Sequence, residues 1–94
     1  MDQICFKSNG SKVRGYFFSS KKTPTLATIL FLQGSPGIEG DELICERLAQ
    51  ANTNVLTFNY RGTFQSQGTF SFSHAIDDIG VAIQFLKDPE LQQK

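Results

Sequence analysis

The chain carries two apolar runs, Ala27–Gln33 and Val55–Tyr60, and the segment between them has a helical pattern. The first run stops against FLQGSPGIEG, residues 31–40, where glycines recur at 34, 37 and 40 around Pro36. Ile29, Leu30, Phe31 and Leu32 stand side by side without alternation, the pattern of a strand covered on both faces. From Asp41 to Ala51, Leu43, Ile44, Leu48 and Ala51 recur at helical spacing, and Asp41 and Glu42 suit the positive end of a helix dipole. Asn52-Thr53-Asn54 ends that helix, and Val55–Tyr60 then reads as a second buried strand. A strand, helix and strand in this order imply a right-handed crossover and two parallel strands. This unit restricts the fold to the α/β class.

The flanks extend the sheet and add one more helix. Ile4–Lys7 and Val13–Ser19, separated by the turn cluster Ser8-Asn9-Gly10-Ser11, read as a β-hairpin. Residues Lys21 to Pro24 form a polar connector, and Arg61–Ser73 is too polar and glycine-marked for regular structure. Ser73 is placed to cap a final helix with Ile76, Ile79, Ile83 and Leu86 on one stripe, broadened by Val81, Ala82 and Phe85. Asp77 and Asp78 fall in its first turn, and Pro89 marks where it stops. Ninety-four residues make one domain with a small core.

Charge and cysteine usage exclude several function classes. Nine Lys plus Arg against nine Asp plus Glu leave no net charge, so there is no basic footprint for nucleic acid or anionic lipid. MDQICF has neither the basic nor the apolar region of a secretion signal, and the longest apolar stretch, from Ala27, is far too short to span a bilayer. Cys5 and Cys45 have no C-x-x-C spacing; they are read as buried free thiols of a cytoplasmic protein, with no metal site and no cofactor.

The glycine loop lies between the carboxyl end of a parallel strand and a helix start, where open α/β sheets place ligands. Two chemistries use backbone N–H groups there. Dinucleotide binding fits poorly: the spacing is not G-x-G-x-x-G, Pro36 lacks an N–H, and the next strand ends in Asn59 rather than an acid. An oxyanion hole needs one N–H aimed at a developing negative oxygen. Pro36 cannot donate, which leaves Gly34, Ser35 and Gly37 as nearby donors. A plain strand-to-helix turn has the same sequence requirements.

Gln33-Gly34-Ser35-Pro36-Gly37 resembles the H-G-x-P-G loop of α/β-hydrolases, with Gln33 in place of the histidine. Asn59-Tyr60-Arg61-Gly62-Thr63-Phe64-Gln65-Ser66-Gln67-Gly68 is similar to the family's D-x-R-G-x-G-x-S-x-G segment. TFSFSHAIDDIGVAIQFL looks like the helix that follows in prolyl oligopeptidase-like and dienelactone-hydrolase-like members. The resemblance implies residues 1–94 to be the N-terminal half of such a domain, with strand order 1-2-4-3, strand 2 antiparallel, and two helices. It implies an oxyanion-hole N–H on Ser35, with Gly34 the runner-up, and a small-molecule ester, amide or peptide substrate.

The remaining polar residues read as structural. Ser66 stands in F-Q-S-Q-G, six residues past Tyr60 and before no helix start, which does not fit a nucleophile elbow. It reads as a loop hydroxyl satisfying backbone groups, with Asn59 and Arg61 pinning the same loop. His74 reads as a solvated helix-start residue with Asp77 and Asp78 nearby, and Cys45 as core. Nucleophile, acid and base are therefore expected outside this chain. The alternatives are a non-catalytic piece that self-associates through the open edge Ala27–Gln33, and a nucleotide-binding module.

Overall fold

The computed structural model describes residues 1–32, 41–63 and 66–87. The elements are β1 (Asp2–Ser8), β2 (Ser11–Phe18), β3 (Ala27–Leu30), α1 (Asp41–Gln50), β4 (Thr53–Phe58) and α2 (Phe72–Lys87). Between β1 and β2, Asn9 and Gly10 take φ of 49° and 82°, the left-handed pair that a two-residue hairpin turn requires. The hairpin closes as Ser8↔Ser11 and runs in register to Asp2↔Phe17. β2 pairs antiparallel with β4 (Gly15↔Phe58 to Phe18↔Val55), and β3 pairs parallel with β4 (Ala27↔Thr53 to Leu30↔Leu56). The sheet order is β1-β2-β4-β3, as the resemblance to α/β-hydrolases implies.

Alternation along β4 divides the interior. Leu56 and Phe58 point to one side, where they pack with Phe6, Val13, Ala82 and Phe85 beneath α2. Val55 points to the other, joining Tyr16, Phe18, Cys45 and Ala49 beneath α1. Phe6 sits 5.6 Å from both Phe58 and Phe85, edge-on to the first and stacked on the second. On the other side, α1 itself contributes the small residues Cys45 and Ala49, both fully buried against Tyr16, Phe18 and Val55.

Four expectations are corrected. β3 is not covered on both faces: Ala27 and Thr28 are exposed and Ile29 and Leu30 half-buried, because β3 is outermost in the sheet that the described residues form. The apolar stripe of α2 does not all turn inward. Ile76 and Ile83 are 69% and 39% exposed, and the buried residues are Asp78, Ala82 and Phe85. Helical spacing sets a stripe, but the contact with β1 chooses which part of it is covered. The cap of α2 is Ser71 rather than Ser73: its Oγ accepts from His74 N at 3.1 Å, so Asp77 and Asp78 fall beyond the first turn. Cys45 is buried, but Cys5 is exposed, since it alternates with Ile4 and Phe6 onto the uncovered side of β1.

Candidate functional site

Parallel pairing brings the carboxyl ends of β3 and β4 together, and the pairing continues past β3 with Phe31 N donating to Leu56 O at 2.8 Å. Two segments leave the sheet from these adjacent ends. The first contains Gly34 and Ser35, the sequence-predicted oxyanion donors, and residues 33–40 lie outside the described residues. The second, Asn59 to Gly68, is described except at positions 64 and 65.

This second segment is tied down by its own polar groups. Thr63 N and Thr63 Oγ1 donate to Tyr60 O at 3.0 and 2.6 Å, and Ser66 N donates to Thr63 O at 2.9 Å. Gly62 N donates to Gln67 O at 3.0 Å, and Gln67 N donates in turn to Lys12 O at 2.8 Å. Gly62 holds φ +79°, and a Cβ there would stand 2.2 Å from Phe70 N; any side chain would collide with backbone.

Ser66 is 8% exposed and its hydroxyl is fully engaged, accepting from Arg14 N at 2.9 Å and donating to Asn59 O at 2.6 Å. Asn59 N donates to Arg14 O at 2.9 Å, so the hydroxyl is inserted into the β2–β4 ladder where the reciprocal bond would otherwise form. The loop-hydroxyl reading of Ser66 holds. Asn59 is also buried at 3% exposure, and its Oδ1 has no hydrogen-bond partner.

Arg61 and Asp78, 5% and 0% exposed, form a buried pair. Arg61 N donates to Asp78 Oδ2 at 2.8 Å and Arg61 Nε to Asp78 Oδ1 at 2.7 Å. Arg61 Nη2 reaches His74 O at 3.1 Å and lies 3.7 Å from the exposed carboxylate of Asp77. Such a pair is tolerated in the interior only because both carboxylate oxygens are hydrogen-bonded. Burial, and secondarily the Asp78 charge, raises the pKa of the neighbouring Tyr60 phenol above 10.0. Phe58, Tyr60, Phe70 and Phe72 then form an edge-to-face row, at 5.2, 6.3 and 6.0 Å, that leads from core to surface.

Ser66 and His74 are not brought together as a catalytic pair. His74 Nδ1 lies 2.6 Å from Thr69 O, and Ser66 spends its hydroxyl on Asn59. Cys45 is fully buried beneath α1. Among the described residues no cluster of three His, Cys, Asp or Glu side chains is placed to hold a metal ion, and no helix is long and apolar enough to cross a membrane. Sequence reasoning missed the role of Asp78. An arginine in a loop destined for burial, with acids on the next helix, is the one signal that pointed to it.

No family model matches the chain. It is 31% identical over 83 residues to YfhR of Escherichia coli K12, an uncharacterized protein, an alignment covering 84% of this chain and 29% of YfhR. Among solved structures, the α/β-hydrolase GrgF from Penicillium sp. sh18 superposes with a TM-score of 0.79 at 17% identity, over 94% of this chain and 32% of GrgF. An α/β serine hydrolase homologue from Coxiella burnetii gives 0.76 at 13% identity, over 92% of this chain and 45% of that one. The fold is that of the amino-terminal part of an α/β-hydrolase. Among the described residues the chain supplies four strands and two helices of that fold, and it spans less than a third of the length of YfhR. The described residues of the Asn59–Gly68 segment are built around Ser66 and the Arg61–Asp78 pair.

Proposed function

We propose that this chain is the amino-terminal part of a serine hydrolase acting on ester, amide or peptide bonds, of the prolyl oligopeptidase-like or dienelactone-hydrolase-like branch, working in the cytoplasm. The observation that carries the reading is the junction of β3 and β4: parallel strands whose carboxyl ends meet, in a sheet with α/β-hydrolase order. Cys5 and Cys45 are not joined in a disulfide, which agrees with a reducing compartment. In this reading a serine attacks the carbonyl, a histidine oriented by an acid carries the proton to the leaving group, and the oxyanion is held by backbone N–H groups. The donor in this chain is the Ser35 N–H, with Gly34 as runner-up; nucleophile, base and acid come from outside these 94 residues.

The test is to read and express the gene beyond codon 94. A G-x-S-x-G segment after a short apolar run, labelled by a fluorophosphonate probe and silenced by Ser→Ala at that serine, is the expected result. Residues 1–94 alone are expected to turn over no nitrophenyl ester. Turnover by the isolated chain that Ser66→Ala abolishes would falsify the assignment.

A second reading, self-association through β3, is favoured by the exposure of Ala27 and Thr28 on a strand that pairs only with β4 in the described sheet. Leu30 packs against the α2-side core, so Thr28 is the cleaner probe. Thr28→Lys shifts any dimer toward monomer in sedimentation; association that this charge leaves unchanged counts against the edge.

A further inference from the structure

The described loop residues, Arg61–Thr63 and Ser66–Gly68, are held from two directions. The sheet holds one side through Gln67 N on Lys12 O at 2.8 Å and Ser66 Oγ on Arg14 N at 2.9 Å. Helix α2 holds the other through Asp78. We propose that the Arg61–Asp78 pair couples α2 to this loop as one mechanical unit, so that the seating of α2 sets the loop's geometry at the carboxyl end of β4.

Three features of the pair support this. Asp78 receives the backbone N–H of Arg61 at 2.8 Å as well as its guanidinium, so it fixes the main chain of the loop and not merely a side-chain tip. Arg61 also donates to His74 O at 3.1 Å, one turn earlier in α2, so two successive turns of the helix are gripped by one loop residue. Both partners are buried, and separating them leaves an uncompensated charge in the interior. The pair therefore opens together with its surroundings or stays closed. Farther along α2, Ala82 and Phe85 pack with Phe6 in the core that Tyr60 also borders. Asp78 therefore gives a shift of α2 a direct polar path to the end of β4, beside the apolar contact of Phe72 through Phe70 to Tyr60. The inference stands whether or not the chain comes from a hydrolase.

Native-state hydrogen exchange followed by NMR on the 94-residue protein, at rising denaturant, tests it. The amides of Arg61, Gly62 and Gln67 are expected to merge with those of Ala82 and Phe85 into one opening with a common denaturant dependence. In Asp78→Asn the loop amides are expected to part from those of α2, Arg61, Gly62 and Gln67 exchanging at least about tenfold faster than in the unmodified protein and opening at lower denaturant than Ala82 and Phe85. Loop amides that open at lower denaturant than α2 in the unmodified protein would overturn the coupling. So would loop amides in the variant that either do not move or stay merged with Ala82 and Phe85, because the pair would then not be what joins loop and helix. If Asp78→Asn does not fold, the exchange pattern of the unmodified protein decides alone.

Discussion

Single residues in the Asn59–Gly68 segment carry large and distinguishable roles. Gly62→Ala forces a Cβ into the Phe70 and Thr69 backbone at a φ of +79°, so we expect a loss of at least about 2 kcal/mol, read as a lowered urea midpoint. Ser66→Ala leaves Arg14 N and Asn59 O without their shared partner, which costs about 1–3 kcal/mol by the same measurement. If Ser66 were a nucleophile the variant would instead keep its stability and lose a chemical activity. Tyr60 gives a pH dependence. Its folded pKa is raised above 10.0 by burial first and Asp78 second, so the folded state holds the phenolic proton more tightly than the unfolded chain does. The stability this group supports is fully present below about pH 10 and is lost as pH rises through the higher folded value. Thermal melts between about pH 9 and pH 11 should show that decline, and Tyr60→Phe should flatten it.

At the scale of elements, how a helix seats itself separates what could be read from what could not. The crossover from β3 through α1 to β4 was legible because apolar runs, a glycine stop and helical spacing are local signals. The hairpin was legible from Asn9-Gly10 for the same reason. The inward face of α2 was not, because Ile76 and Ile83 satisfy the same periodicity as Phe85, and only the neighbour β1 selects among them. Burial of Asp78 depends on Arg61, seventeen positions earlier in the chain, which no periodicity reports. Gly34 and Ser35 remain readings of the sequence, since residues 33–40 lie outside the described ones. The seating of α2 yields a paired prediction. Ile76→Gln, on the exposed face, changes stability by no more than about 0.5 kcal/mol. Asp78→Asn strips a buried arginine of its charge partner and costs about 3–5 kcal/mol in the same denaturant titration.

Across the whole molecule, apolar surface is unevenly covered. Leu26, Leu43, Phe72 and Ile76 are 74%, 59%, 82% and 69% exposed, a large apolar display for a 94-residue chain. We expect the folded chain to bind a hydrophobic dye such as anilinonaphthalene sulfonate and to enhance its fluorescence. Phe72→Ser should lower that signal without moving the urea midpoint, because Phe72 is on the surface end of the aromatic row. The division of the interior by β4 has a wider consequence. The sheet acts as a partition between two chambers, one where α2 sets a ring, Phe85, against Phe6 and Phe58, and one where α1 offers a thiol and a methyl group to Tyr16, Phe18 and Val55. Each chamber can therefore be retuned by substitution without re-cutting the other, with the α2 side free to trade one ring for another and the α1 side permitting almost no growth.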